Sequence, residues 1–150
     1  MKLKIRIKIR ILEFYFSNSG FMGLFPVGTF MYYQSLTGRE GDVAILKSPN
    51  FTSPDNARLN FYYHMKGEMT GQLSVRAVNA SEYPLGSILF RRQGGQGNDW
   101  FRFCTALPSN QEMSVHFTAT RGTQGNNHIA LDDVTIDSGD CPCKFKISQV

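Results

Sequence analysis

The sequence of 150 residues has no long apolar run, one tryptophan and only three cysteines. No stretch reaches the ~18 consecutive apolar residues that a membrane-spanning helix needs, so we expect no transmembrane helix. The start, MKLKIRIKIRIL, carries a charge at every second position, whereas a secretory signal peptide has a continuous apolar region of about 7–15 residues. We therefore expect no signal peptide in the sequence as it stands.

The few cysteines do not form a closed set of internal disulfides. Cys104, Cys141 and Cys143 are an odd number, so at least one thiol is free, bridged to another chain or without its partner. Zinc sites usually need two pairs of ligands, and the Cys-Pro-Cys at 141–143 has no second pair. We therefore discount a zinc site.

Helical periodicity is also missing, and apolar residues alternate with polar ones instead. In ARLNFYYHM, Leu59, Phe61, Tyr63 and Met65 share one face. Similar runs occur in GTFMYY, DVAILKSP, QLSVRAV, SILFRR, WFRFCTAL, MSVHFTATRG and NNHIALDDVTI. Short strands spaced about 8–12 residues apart predict an all-β fold, an antiparallel sandwich or barrel.

Catalytic motifs are absent too. The sequence has no phosphate-binding loop between a strand and a helix, no nucleophile elbow and no pair of histidines at metal-ligand spacing. The glycine-rich GGQGN (94–98) lies between two predicted strands, where a hairpin turn explains it. We predict that the protein is not an enzyme and has no small-molecule substrate.

The net charge of +4 comes from the first ten residues. Residues 2–10 hold five of the 16 basic residues and none of the 12 acidic ones, so residues 11–150 have a net charge of −1. A basic isoelectric point usually indicates a nucleic-acid or anionic membrane partner. Here the indication rests on the arm alone, and we predict no nucleic-acid partner.

Two aspartates, Asp132 and Asp133, interrupt the apolar run IALDDVTI. Neighbours on a strand point to opposite faces, so one of them is expected to point inward, where a carboxylate needs a partner. With Asp42, which opens another strand, Asp132 is a candidate ligand for one structural Ca²⁺ or Na⁺. The alternative is that these carboxylates accept hydrogen bonds from backbone N–H groups.

Two glycosylation sequons, Asn50-Phe51-Thr52 and Asn79-Ala80-Ser81, fall in predicted loops. Oligosaccharides are attached at such sequons in surface loops of secreted proteins. Asn50 and Asn79 are therefore the predicted glycosylation sites.

The series GTFMYY, GDVAILKSP, LNFYYHMKG, GQLSVRAV, GGQGNDWFRF and IALDDVTIDSGDC resembles the successive blocks of a MAM domain, the extracellular module of meprins, neuropilins and type-mu receptor tyrosine phosphatases. The resemblance implies a jelly-roll-like β-sandwich. It also implies extracellular adhesion or recognition, often through homophilic or lateral association. Some members bind a structural cation near the aspartates that match Asp42 and Asp132.

The chain departs from the family pattern at its start and at one cysteine. A MAM domain usually opens with an acidic, cysteine-bearing segment, which the basic arm replaces here. The family's cysteine before the LxFxYxM block is Arg58 in this chain, so Cys141 lacks its expected partner. Cys104 is an extra cysteine, and its pairing with Cys141, with Cys143 or with another chain stays open.

The predicted organisation is an atypical basic arm and junction over residues 1–27, a MAM-like sandwich lacking the usual opening segment over 28–141, and a tail over 142–150. The alternating arm has two interpretations. It is either an edge strand that replaces the missing one, or translated low-complexity DNA from a faulty gene model.

The leading functional hypothesis is a non-catalytic extracellular adhesion or recognition module with a protein partner. A second copy of the same module is one candidate for that partner. It would be a fragment of a larger secreted or membrane-anchored protein, whose own transmembrane segment would provide any membrane attachment. The alternatives are an ancillary domain of a secreted metalloprotease or receptor phosphatase, and a carbohydrate-binding β-sandwich that stacks sugars on Trp100, Tyr62 and Tyr83.

Overall fold

A computed structural model describes residues 13–17, 21–24, 30–34, 38–79, 81, 86–123 and 128–142. Within this part of the chain the regular structure is all β-strand, with no helix. The strands in chain order are β1 (Glu13–Ser17), β2 (Phe21–Leu24), β3 (Met31–Gln34), β4 (Val43–Lys47), β5 (Phe51–Thr52), β6 (Ala57–Lys66), β7 (Gln72–Val78), β8 (Ser87–Gln93), β9 (Phe101–Ala106), β10 (Glu112–Thr120) and β11 (His128–Ser138).

The strands form two antiparallel sheets. Sheet A has the order β1-β4-β10-β7-β8, with β5 paired to β10, and sheet B has the order β2-β3-β11-β6-β9. Strands that are distant in sequence lie side by side, as β4 and β10 do. The predicted all-β antiparallel sandwich is confirmed.

The core lies between the sheets and contains the residues that alternation predicts. On β6, Leu59, Phe61 and Met65 have no exposed side-chain area, and Tyr63 is 5% exposed. The Phe61 ring meets Phe117 of sheet A edge to face, with ring centroids 5.3 Å apart. Aromatic pairs in this arrangement add about 0.5–1.5 kcal/mol to the free energy gained by burial.

All eight strands predicted from alternation are present, as β3, β4 and β6 to β11. Three further strands were not predicted. The short β5 pairs with the start of β10, and β1 and β2 lie in the predicted arm and junction, paired with β4 and β3. Residues 1–12 lie outside the described residues, so the two interpretations of the alternating arm remain predictions.

One irregularity alters β11 at the paired aspartates. Asp132 lies opposite Tyr62 and Thr135 opposite Asn60, so β11 has one extra residue here. Asp133 adopts the left-handed conformation, with φ of 47°, which is typical of a β-bulge. The bulge interrupts alternation, so Asp133 is exposed and Asp132 is half-buried. The expectation that one aspartate points into the core is therefore wrong.

Candidate recognition surface

The outer surface of sheet B carries exposed aromatic side chains. Strand alternation sends Phe61 and Tyr63 of β6 into the core and turns Tyr62 and His64 to the outer side of the sheet, where Tyr62 is exposed and His64 is buried. Tyr62 is 37% exposed, and Trp100, just before β9, is 42% exposed. We refer to the surface formed by Tyr62, His64, Trp100 and His128 as the aromatic face.

Ring contacts hold Trp100 in place. Its indole lies edge-on to the Phe30 ring at 5.6 Å between centroids and 5.4 Å from the His64 imidazole. His64 in turn stacks on His128, with centroids 5.9 Å apart and ring planes 6° from parallel. Trp100 is thus supported from two sides while much of it stays open to solvent.

The environment of His128 lowers the pKa of its imidazole. Burial lowers the pKa of His128, and the nearby His64 and Lys66 lower it further because a second positive charge there would be repelled. His128 is therefore harder to protonate than an ordinary histidine.

Charged groups flank Tyr62 across three neighbouring strands. Asp132 of β11 lies opposite Tyr62 of β6, and Arg102 of β9 lies opposite Tyr62 on the other side. The Arg102 Nη2 donates a hydrogen bond of 2.9 Å to the Asn60 side-chain oxygen, which orients the guanidinium along the sheet. Asp132, Tyr62 and Arg102 therefore lie side by side across three strands, with a carboxylate on one side of the tyrosine and a guanidinium on the other.

A disulfide closes the other end of this surface. Cys104 of β9 is bonded to Cys141, with Cα atoms 5.6 Å apart and a sequence separation of 37. Of the pairings left open by the sequence, the structure thus selects Cys104 with Cys141. Cys143 lies outside the described residues.

Arg58 binds the same C-terminal segment without a covalent bond. Its Nε forms an ion pair with Asp137 at 2.5 Å, and its Nη1 donates a hydrogen bond to the backbone oxygen of Asp140. Arg58 occupies the position where the resemblance predicts a cysteine partner for Cys141. In this chain Arg58 makes an ion pair and a hydrogen bond to the segment, and Cys141 is bonded to Cys104 of β9 instead.

The two predicted cation ligands lie on different sheets. The Asp42 Oδ2 accepts a hydrogen bond of 2.7 Å from the Arg39 N–H, just before β4 of sheet A. The Asp132 Oδ1 accepts one of 2.7 Å from the Asp133 N–H, on β11 of sheet B. Both contacts are of the kind that the alternative interpretation predicts.

Two other side chains, Tyr33 and Arg121, lie near Asp42. Burial raises the pKa of Tyr33, while the Arg121 charge lowers it and the Asp42 charge raises it, so the three groups lie near one another. No group of three or more His, Cys, Asp or Glu side chains in the described ranges could hold a metal, and two carboxylates alone do not complete a Ca²⁺ site of about 6–8 oxygen ligands.

Both predicted glycosylation sites lie outside the strands. Asn50 is exposed in the connection between β4 and β5, and Asn79 follows the last residue of β7. The Asn79 Oδ1 accepts hydrogen bonds from the Ser81 N–H at 3.0 Å and the Ser81 hydroxyl at 2.7 Å. Attachment of glycans at the two sites stays a prediction.

One serine and one histidine contact each other on the outer surface of sheet A. The Ser114 Oγ lies 2.9 Å from the His116 Nε2, a distance that also occurs in hydrolase active sites. Burial and the charge of Lys47 lower the pKa of His116. A catalytic triad needs a third group, usually a carboxylate, to orient the histidine, and none is hydrogen-bonded to His116 among the described residues.

The chain matches a known protein family over most of its length. The model of the family described as "MAM domain, meprin/A5/mu" matches residues 24–142, close to the predicted limits of 28 and 141. MAM domain-containing protein 2 of Mus musculus is 35% identical over 116 residues, which are 77% of this chain and 17% of that protein. MAM domain-containing glycosylphosphatidylinositol anchor protein 1 of Gallus gallus is 32% identical over 122 residues, which are 79% of this chain and 13% of that protein.

A solved structure shares the fold at low sequence identity. The K1 cleaved adhesin domain of Lys-gingipain from Porphyromonas gingivalis W83 superposes with a TM-score of 0.65 and 16% identity, covering 93% of this chain and 97% of that one. This chain spans less than a fifth of the two curated relatives. No helix in the described ranges has the length and hydropathy of a membrane span.

Proposed function

The chain belongs to the MAM family, and from this membership we propose that it is a non-catalytic extracellular adhesion or recognition module that associates with a protein partner. The observation that carries the proposal is the family match over residues 24–142, which includes strands β3 to β11 of the two sheets. A relative whose name specifies a glycosylphosphatidylinositol anchor supports a position at the cell surface.

Chemistry of the chain supports an extracellular location. The Cys104–Cys141 disulfide is of a kind that persists in oxidising environments and is rare in the cytosol. The sequon at Asn50 lies in an exposed connection between strands, the kind of surface loop in which secreted proteins are glycosylated.

The partner is proposed to be a second copy of the module or a different cell-surface protein. The test displays the 150-residue chain on non-adhesive cells through a heterologous anchor and mixes these cells with differently labelled cells. Clusters of displaying cells alone indicate homophilic binding, and mixed clusters with partner-bearing cells indicate heterophilic binding. The proposal would be contradicted if the displaying cells cluster with neither population and cross-linking of the displayed chain captures no partner protein.

A second candidate is an ancillary domain of a larger secreted metalloprotease or receptor phosphatase. It is favoured by the small share of its relatives that the chain spans, 17% and 13%, since a module of that size is one part of a larger protein there. Sequencing of full-length transcripts tests it. A catalytic domain in the same reading frame supports this candidate, and adhesion modules alone exclude it.

A further inference from the structure

We propose that the aromatic face of sheet B binds an uncharged oligosaccharide, with Trp100 and Tyr62 stacking on sugar rings and Asp132 and Arg102 forming hydrogen bonds to hydroxyl groups. The proposal goes beyond association with a protein partner and does not depend on it. It rests on the geometry of this one surface.

The first argument is that Trp100 is a fixed and open platform. Contacts with Phe30 and His64 hold the indole, yet 42% of the residue stays exposed. A sugar ring has apolar C–H faces that pack on aromatic rings. A ring that is already held in position loses little side-chain entropy when a ligand stacks on it.

The second argument is the spacing of Trp100 and Tyr62. Tyr63 pairs with Phe101 and Tyr62 with Arg102, so Trp100 follows in register opposite His64, as their ring contact also shows. Trp100 and Tyr62 are therefore diagonal neighbours on one face, and such neighbours lie about 7–8 Å apart. Two nearby sugar rings of one chain can cover both aromatic rings.

The third argument concerns the polar groups between and beside the rings. Arg102, held by its bond to Asn60, offers planar N–H donors, and Asp132 offers carboxylate acceptors. Sugar hydroxyls both donate and accept, so they can use both side chains. The two charges balance, which favours an uncharged sugar over a sulfated one.

The same polarity disfavours a protein as the occupant. Interface centres are depleted of charged residues and are more apolar than the surrounding surface. Here Asp132 and Arg102 flank Tyr62 directly, so the exposed apolar area is divided between two rings. A second copy of the chain or another protein is therefore an outcome that the test must distinguish.

The test uses the full 150-residue chain with its disulfide formed. It is applied to an array of neutral gluco-, manno- and galacto-oligosaccharides, with heparin as the charged comparison. Binding of one neutral class is then measured by titration calorimetry. We expect Trp100→Ala and Tyr62→Ala each to weaken binding at least about tenfold, which corresponds to about 1.4 kcal/mol, and Tyr62→Phe to retain it because the stacking ring remains.

The matched control is Ile88→Ala, since Ile88 is 49% exposed but lies on β8 of sheet A, and its binding should equal that of the wild type. If Trp100→Ala does not fold, the comparison of Tyr62→Ala with Tyr62→Phe tests the proposal, because only the alanine variant removes a stacking ring. The proposal is overturned if no neutral oligosaccharide binds, if only heparin binds, or if binding survives both alanine variants. It is also overturned if light scattering shows a dimer that Tyr62→Ala dissociates and no sugar binds.

Discussion

Arg58 and Asp137 face each other in register on β6 and β11, and their Nε and Oδ1 atoms are 2.5 Å apart. The same guanidinium donates to the backbone of Asp140. One side chain thus fastens both the end of the last strand and the segment that leads to Cys141.

We expect Arg58→Ala to reduce the free energy of unfolding by about 1 kcal/mol, because exposed ion pairs contribute about 0.2–1 kcal/mol and hydrogen bonds from charged groups somewhat more. Arg58 and Asp137 side chains are 23% and 19% exposed, so screening by water keeps the effect small. Arg58→Lys should recover only part of it, since an ammonium cannot make both contacts in this geometry. Urea unfolding measures the change, with Arg91→Ala at an exposed position as the control. An equal midpoint for both alanine variants would show that the pair contributes nothing.

Loss of the disulfide should cost more. Cys104→Ser opens a loop defined by a separation of 37 residues, and chain entropy predicts a loss of about 2–4 kcal/mol. Cys141→Ser should have the same effect, and the double variant no further effect. Cys143→Ser is the control, and we expect its stability to equal that of the wild type. Destabilisation by Cys143→Ser instead of Cys104→Ser would refute the pairing.

Acidification should destabilise the fold through His128 and His116, whose folded-state pKa values are both lowered from the ordinary 6.5. Well above pH 6.5 these histidines are neutral in the folded and the unfolded chain, so they do not affect stability. As the pH falls below 6.5 the unfolded chain takes up protons first, so stability declines until the pH is below the folded pKa values. Thermal unfolding between pH 7.5 and 5 measures the slope, which should be flatter in the variant with both His116→Gln and His128→Gln. A slope equal to that of the wild type would exclude these histidines as the cause.

The family resemblance predicts a cation near Asp42 and Asp132, and the described residues supply only part of a ligand set. If the prediction is correct, millimolar Ca²⁺ raises the melting temperature by a few degrees, because a ligand that binds only the folded state stabilises it. Asp132→Ala should abolish the increase. Asp55→Ala, at an exposed position, is the control and should keep it. An unchanged wild-type melting temperature in Ca²⁺ and in Na⁺ would reject the site.

Glycans at Asn50 and Asn79 would be visible when the chain is exported from eukaryotic cells with a heterologous signal peptide. Removal of N-linked glycans should then increase electrophoretic mobility in the wild type. Asn50→Gln and Asn79→Gln should each remove one step of that change, and the double variant should not respond. A single step in the wild type would show that only one sequon is modified, and the single variant that loses the step would identify it. No step at all would contradict both predicted sites.

Alternation alone was enough to predict the core of the sandwich. Leu73, Val75, Val115 and Phe117 are all buried, as period-two spacing requires. It failed at Asp133, where a bulge with a positive φ changes the face. It also missed β1 and β2. The stretch at 17–28, which includes β2, contains several glycines and small polar residues that are typical of loops.

The aromatic face was predicted only in part. Sequence reasoning selected Trp100 and Tyr62 as sugar-stacking rings, and both are exposed on one surface. Tyr83, the third candidate, lies outside the described residues. The support for Trp100 was missed, since the stacked His64 and His128 meet only through the pairing of β6 with β11. Contacts of such sequence separation are decided by topology, which a single sequence does not specify.

The position of the disulfide has a mechanical consequence. Tension applied to the chain beyond Cys141 is transmitted to β9 through the bond to Cys104, so the load does not first peel the end of β11 from β6 one hydrogen bond at a time. The end of the last strand is shielded from unzipping as long as the bond is oxidised. In a module that is pulled between two cells, a reducing environment would therefore lower the force at which the sandwich opens.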